Sequence, residues 1–368
     1  MSHPDLAGAT LTIDLDAIAR NYALLCKQVP TAITAGVVKA NAYGLGIEYV
    51  APVLSKAGCQ IFFVATLDEG LQLRALIPKA TINIFNGAPS GHEALLREHH
   101  LTPVLNSLED IDRWRDFCRD NSNPLPAILH VDTGMARLGL PKNELKTLAA
   151  EPNLLAGIEL TSIISHLACA SEIDNPMNQE QLHEFNNALE CLPRSKASLA
   201  SSSGIFLGSD YHFNLVRPGA SLYGLCPLTS ISNPMAQVVR LQGKILQIRG
   251  VDTPQSVGYG ATHRVAGPRR IATVAAGYAD GILRSLSNLG SGYLNGVKAP
   301  IVGRVSMDLI TFDVTDIPHE MAHTGAMIDI IGPDNPLDQI ADSAGTIGYE
   351  LLTSLGTRYH RTYVGNSE

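Results

Sequence analysis

The sequence predicts an α/β protein: a (β/α)8 barrel of the TIM type followed by a second, mostly-β carboxy-terminal domain. Three observations carry this. Over the first two-thirds of the chain, short apolar runs bounded by Pro, Gly or Asn alternate with helical patterns. Eight such runs fall within about 220 residues, which fits a closed parallel barrel, with a doubly wound open sheet as the competing arrangement. From about Met235 the helical patterns give way to strands separated by Gly, Pro and Asp.

Taken in order, ATLTIDL (Ala9–Leu15) reads as a strand that precedes the first barrel unit and is assignable to either domain. Ile18, Tyr22, Leu25 and Val29 then share one helical face. The eight barrel strands are expected at Ile33–Lys39, Gln60–Ala65, Thr81–Phe85, Leu101–Leu105, Ala127–Asp132, Glu159–His166, Lys196–Ser201 and Phe213–Arg217. Most of the segments between them read as helices, such as the one with Leu182, Phe185 and Leu189 on one face. In the second domain, strands are expected at Val238–Val251, Arg270–Ala276, Ala299–Val305, Leu309–Val314 and Met327–Ile331, with a helix over Thr346–Leu355. The division is thus a barrel over residues 10–230 and a β-rich domain over 231–368, which the strand in residues 1–15 is able to join.

The chain has 368 residues, 45% hydrophobic and 17% charged, the composition of an ordinary soluble globular protein. Its 27 basic residues against 35 acidic ones give a net charge of −8, and no basic run offers a footprint for nucleic acid. No apolar run reaches membrane-spanning length, and MSHPDLAGAT lacks a basic region followed by an apolar one. A cytoplasmic location is expected. The six cysteines are scattered without a CxxC pair, which favours reduced structural thiols over a metal site.

A parallel barrel places its chemistry at the carboxyl ends of its strands. There the sequence puts Lys39, then His130 and Asp132 leading into TGMARLG with Arg137, then His166, Ser201-Ser202-Ser203-Gly204, and Arg217-Pro218-Gly219. Singly, each has a plain reading: a solvated lysine, a satisfied core histidine, a serine-rich turn, a salt-bridge arginine. Jointly, they converge on one rim. Backbone amides after strands seven and eight bind phosphate in many barrels. A phosphate there with a lysine across the mouth fits pyridoxal phosphate (PLP), which needs an amine for its aldehyde, donors for its phosphate and a group opposite its ring nitrogen. A phosphosugar enzyme with a Schiff-base lysine fits the same residues.

Longer motifs narrow the choice. The chain contains GVVKANAYGLG (36–46), VDTGMARLG (131–139), SHLACA (165–170), SSSGI (201–205), VRPGASLYG (216–224), VGYGATH (257–263), AAGYADG (275–281), GRVSMDL (303–309) and GYELLTSLGTR (348–358). In that order, and across both domains, these blocks resemble the alanine racemase family over essentially the whole length. The resemblance implies a PLP-dependent amino-acid racemase of fold type III, a small amino-acid substrate, and a homodimer with active sites shared between subunits.

Carried over position by position, the resemblance makes Lys39 the lysine that forms the Schiff base with PLP. Tyr43, Ser202, Gly219, Ala220 and Tyr349 match phosphate-binding positions. Arg217 faces the pyridine nitrogen and His166 lies beside the ring. Arg137 lies near the phenolic oxygen and the substrate carboxylate, while Met307, with Asp308 next to it, contacts that carboxylate through its backbone. Tyr278 and Tyr349 line the entrance. Lys39 would serve as base for D-alanine, and Tyr259 of the second subunit for L-alanine, so that a proton leaves one face of Cα and returns on the other. The implied role is supply of D-alanine for peptidoglycan. A racemase of another small amino acid such as serine, and a non-catalytic PLP-binding protein, are the alternatives.

One position departs from the family pattern. Many members have at position 130 a lysine modified to a carbamate that holds the arginine corresponding to Arg137, whereas this chain has His130, which is neutral or cationic. Hydrogen bonding, or an anion in the gap, would then replace the carbamate's charge pairing. Ser201 also stands where an asparagine is common, a small polar exchange.

Overall fold

The computed structural model describes residues 6–120 and 124–365. Ile18–Ala236 form one compact unit; the residues up to Ala17 and from Gln237 onward form the other.

In the first unit, the strands are Ile33–Thr34 and Gly36–Val37 (one strand interrupted at Ala35), Ile61–Val64, Thr81–Ile84, Leu101–Leu105, Leu125–His130, Ile158–Ile164, Lys196–Ser198 and Leu215–Val216. Each pairs in parallel with the next, for example Val37 with Phe63 and Ile61 with Thr81. The ring closes, because Leu215 pairs with Ile33 and Val216 with Thr34. At the other edge of the last strand, Ser201 bridges Arg217. Three further backbone bonds complete the seam: Ala35 N–H to the Val216 carbonyl at 2.9 Å, Val37 N–H to Pro218 at 3.0 Å and Arg217 N–H to Ala200 at 2.9 Å. The open-sheet alternative is thereby excluded, since among the described residues no barrel strand keeps an unpaired edge.

Helices Leu15–Gln28, Ile47–Lys56, Leu67–Leu76, Glu93–Glu98, Leu108–Asp120, Lys142–Ala150 and Met177–Cys191 accompany the strands. Ile18, Tyr22, Leu25 and Val29 are buried, as a period near 3.6 requires; on Met177–Cys191 the seam is Leu182, Phe185 and Ala188, with Leu189 only half-buried. After the last two strands the expected helices are replaced by 3-10 turns, Ser203–Leu207 and Ala220–Tyr223. The strand ends also fall short of the apolar runs. Lys39 and His166 lie past the last paired residue, on the turns that leave the sheet, and Arg217 follows Leu215–Val216, paired only through its bridge to Ser201.

In the second unit the long strand Val239–Val251 is the hub. It pairs antiparallel with Ala9–Asp14, Arg269–Val274 and Met327–Ile331. Register shifts near Ile245 and Leu241 bend the strand, so that it serves these partners in turn. Ala9–Asp14, with Ala9, Leu11 and Ile13 buried, belongs to this unit and also pairs in parallel with His360–Val364. The expected strand Ala299–Val305 is displaced: pairing covers Val297–Pro300, and residues 302–305 leave the ladder. Two strands lack a readable pattern. In Ser291–Leu294 a glycine occupies an inward position, where a Cβ would stand 2.8 Å from Ile328 Cδ1. In His360–Val364 no residue is fully buried, so the alternation is weak.

Candidate active site

A left-handed turn holds the backbone at Lys39. Ala40, Asn41, Ala42 and Tyr43 all have φ between 53° and 55°, although none of them is glycine. Left-handed geometry costs an L-residue roughly 1–2 kcal/mol, so the turn needs outside support. Its own bonds run from Ala42 N–H to Val38 O at 2.9 Å and from Gly44 N–H to Ala40 O at 2.8 Å. The Asn41 carboxamide oxygen accepts from Ile47 N–H at 2.8 Å, and a Glu69 carboxylate oxygen accepts from Ala40 N–H at 2.6 Å. Gly44 and Gly46, with φ of 83° and 98°, return the chain to a right-handed helix. The Lys39 ammonium lies 5.8 Å from the centroid of the Phe85 ring. Burial first, and then the Arg137 charge, lower its pKa, with Glu69 opposing.

The turn carries Tyr43 into the barrel mouth. Its ring packs on Tyr223 with centroids 4.6 Å apart, and the Tyr223 hydroxyl donates to the Val37 carbonyl at 2.9 Å. The Tyr43 hydroxyl sits over Gly219. Ser202, buried on the neighbouring turn, accepts through Oγ from Gly219 N–H at 3.0 Å and from Ser221 N–H at 3.1 Å. Ser203 and Ala220 open their 3-10 turns, and their N–H groups have no partner within those turns. Tyr43, Ser202, Gly219 and Ala220 are therefore brought together as one polar cradle.

Beside it, Arg217 is buried. Its guanidinium donates to the Ser198 carbonyl at 2.8 Å, to the Ser198 hydroxyl and to the Ser165 carbonyl, not to a carboxylate. Burial brings its pKa down to about 10, still charged at neutrality. His166 is half-buried, and burial with the Arg217 and Arg137 charges pushes it down to about 3. The Gln181 amide holds this segment, donating to the His166 carbonyl at 2.9 Å and accepting from Ala168 N–H at 2.8 Å.

His130 has a built environment. Its Nδ1 lies 2.8 Å from Asn106 Oδ1, while the Asn106 amide nitrogen donates to the Phe85 and Val104 carbonyls, each at 3.0 Å. Both amide hydrogens being spent, Oδ1 is the acceptor and Nδ1 of His130 carries the proton. Burial, then the Arg217 charge, push His130 down to about 4, so the ring is neutral at neutral pH. The loop bearing Arg137 starts and ends on this residue: Leu140 N–H donates to the His130 carbonyl at 2.8 Å. Asp132 caps the loop by accepting from Gly134 and Ala136 N–H. The Arg137 side chain is exposed.

The β-rich unit holds the remaining expected residues. Tyr259, 72% exposed, starts a 3-10 turn at the tip of the hairpin Ser256–Val257/His263–Arg264. With Tyr278, Arg284, Arg304, Val305 and Ser306 it lines a cavity of about 300 Å³. Met307 is at the tip of a turn closed by Ser306 N–H to Leu309 O at 3.0 Å. Its carbonyl accepts from Ala279 N–H, next to Tyr278, at 3.0 Å. A Cβ at Gly277 would lie 2.3 Å from that carbonyl, so glycine is required there. The Asp308 carboxylate is taken by Arg358 at 2.7 Å, and the same guanidinium grips buried Asp280 at 2.7 and 2.9 Å. Tyr349 is partly exposed at the start of helix Gly348–Ser354.

Three contributors escape the sequence reading. Glu69 was legible as the last residue of the capping box Thr66-x-x-Glu69, and Asn106 as the residue just past a barrel strand. Phe85, an aromatic at the end of an apolar run, carries no signal.

Comparison with known proteins identifies one family along both units. The family model "Alanine racemase, N-terminal domain" matches residues 13–227, and "Alanine racemase, C-terminal domain" matches 238–363. The chain is 53% identical to an alanine racemase of Rhodospirillum rubrum, covering 100% of this chain and 99% of that one. It is 48% identical to a catabolic alanine racemase of Agrobacterium fabrum, covering 97% and 92%. Among solved structures, alanine racemase from Bartonella henselae with covalently bound pyridoxal phosphate superposes with a TM-score of 0.94 at 43% identity, covering 97% of this chain and 100% of that one. The biosynthetic alanine racemase of Pseudomonas aeruginosa gives 0.92 at 34%, covering 98% and 100%. A closed parallel barrel with an amine, a hydroxyl-and-amide cradle and a carboxylate-free arginine at its mouth, joined to a β-rich unit and matched by both models, places this chain in the alanine racemase family.

Proposed function

We propose that the chain interconverts L- and D-alanine with pyridoxal phosphate held at the barrel mouth through Lys39. The single observation that carries this reading is the left-handed turn, which puts the amine of Lys39 and the hydroxyl of Tyr43 on one short segment, with the hydroxyl over Gly219. The residues fit the cofactor: an amine of lowered pKa for the aldehyde, a cradle of hydroxyls and amides for the phosphate, and a buried guanidinium for the ring nitrogen. When bound, pyridoxal phosphate supplies the electron sink that makes the Cα proton of an amino acid removable.

Lys39 would hold the cofactor through its aldehyde, and its amine would move the proton on one face of Cα. Tyr43, Ser202, Gly219 and Ala220 bind the phosphate, with Tyr349 as a further contributor. His166 would pack beside the cofactor ring. Arg217, fixed by Ser198 and Ser165, offers only donors, so it would leave the ring nitrogen unprotonated. That limits how far charge is withdrawn from Cα and favours return of the proton over other outcomes. Arg137 orients the substrate carboxylate, helped by the Met307 backbone, with Asp308 holding that turn through Arg358. Tyr259, carried outward on its hairpin, serves the opposite face of Cα in the partner subunit of a homodimer. Tyr278 and Tyr349 line the entrance. D-Alanine made this way supplies peptidoglycan.

Purified protein given L-alanine and L-serine, with cofactor absorbance followed in parallel, tests the reading. Racemisation of L-alanine, well ahead of L-serine, is expected. Equal turnover of L-serine would redefine the substrate; bound cofactor without racemisation would make the chain a carrier. Lys39→Ala should abolish both turnover and borohydride capture of the cofactor.

A further inference from the structure

Glu69 opens the helix Leu67–Leu76, and at first sight its carboxylate is a helix cap. Thr66 and Glu69 form a capping box, in which the Thr66 N–H donates to Glu69 Oε2 at 3.3 Å and the Glu69 N–H to Thr66 Oγ1 at 3.4 Å. Ala65 N–H also donates to Oε2, at 2.7 Å. Capping is thus complete with one carboxylate oxygen. The other, Oε1, leaves the helix altogether and accepts from Ala40 N–H at 2.6 Å, the shortest of these contacts.

Ala40 N–H belongs to the peptide plane directly after Lys39. Fixing that plane fixes ψ of Lys39, and so the direction in which its side chain leaves the backbone. Ala40 is also the first residue of the left-handed turn, and the first N–H groups of any helical turn lack an internal acceptor. Hydrogen bonds to an ionised acceptor are about twice as strong as neutral ones, which suits a turn built from strained residues. Ala65 follows Ile61–Val64, the strand paired with Gly36–Val37. One carboxylate therefore ties the ends of two adjacent barrel strands together at the reactive lysine. Its charge also faces the amine, where it opposes the effects of burial and Arg137.

We propose that Glu69 is a positioning residue for Lys39, acting through the Ala40 N–H to hold the peptide plane and the left-handed turn that aim the amine at the cofactor aldehyde. This rests on the reading of Lys39 as the cofactor-bearing lysine.

The variant Glu69→Gln separates this role from capping. Glutamine is accepted in a capping box, but its single oxygen, once turned to the helix end, leaves an NH2 group facing Ala40 N–H. Holoenzyme kinetics should show kcat lowered about tenfold or more with KM for alanine within about threefold. In the cofactor-free protein, amide hydrogen exchange in residues 38–46 should quicken by about tenfold, while residues 67–76 keep wild-type protection. Glu69→Ala should match Glu69→Gln in residues 38–46 and additionally quicken exchange at the helix start. Wild-type kcat and wild-type exchange in residues 38–46 for Glu69→Gln would reduce Glu69 to a cap and overturn the proposal. Borohydride capture on Lys39 of the wild type is the control: if it fails, the reading of Lys39 falls first; if it succeeds, the comparison judges Glu69 alone.

Discussion

The phenolic oxygen of Tyr43 stands so close over the α-carbon of Gly219 that a Cβ there would lie 2.3 Å from it. The contact joins the turn after Lys39 to the turn after the last barrel strand. It leaves no room for a side chain, although Gly219 has a φ of −128° that any residue adopts. Gly219→Ala must therefore push Tyr43 aside. The expected outcome is a rise of about tenfold or more in the cofactor dissociation constant, with a stability loss of about 1–3 kcal/mol from overpacking. Cofactor titration followed by absorbance, with denaturant melts, measures both.

Tyr259 and Lys39 are assigned to opposite faces of Cα, and isotope exchange separates them. Tyr259→Phe should keep the cofactor bound and still exchange the α-proton of D-alanine with heavy water through Lys39. Exchange from L-alanine should fall by about a hundredfold or more. Proton NMR of each enantiomer in heavy water reads the two rates. Equal loss of both would argue against separate bases.

Asn106 spends its whole amide on fixed partners: two barrel carbonyls and the His130 N–H. Asn106→Leu leaves these groups without partners in a buried setting, and should cost about 2–4 kcal/mol of stability. His130 would lose its fixed tautomer, and the Arg137 loop its base. Urea midpoints, together with KM for alanine, which should rise, check the two consequences.

His130 and His166 are held neutral, with pKa values near 4 and near 3 against an ordinary 6.5. Below pH 6.5 the unfolded chain takes up protons at these positions that the folded chain refuses. Stability from this source is thus fully present above about pH 6.5 and is lost as the pH falls through the folded-state values. From the two residues together a loss on the order of 6 kcal/mol is expected by pH 4. Urea unfolding of the cofactor-free protein across that range, beside His166→Gln, should show a shallower slope in the variant.

The barrel is legible because its strands are buried on both sides, which produces apolar runs, and because its reactive residues gather just beyond those runs. Lys39, His166, Ser202 and Arg217 could be placed by that rule alone. The left-handed turn could not: Ala40, Asn41, Ala42 and Tyr43 have no local preference for it, and beyond the adjacent Gly44 and Gly46 it is supported by Glu69 and Tyr223, which lie far along the chain. Asp308 illustrates another limit. Its neighbourhood is readable as a motif, but its engagement by Arg358, fifty positions away, is a tertiary fact. Ser291–Leu294 and His360–Val364 escape because a packing-required glycine hides the alternation of one, and the shallow burial of the other leaves almost none to see.

The strand Ala9–Asp14 lies between Val239–Val251 and His360–Val364. During synthesis this segment leaves the ribosome well ahead of both neighbours, and His360–Val364 leaves last of the three. The barrel has all of its own strands once Val216 is out, well before then. Translation therefore imposes an order: the nascent chain carries this apolar strand unpaired until Val239–Val251 emerges, and chaperones that grip such segments would find a substrate there in the meantime.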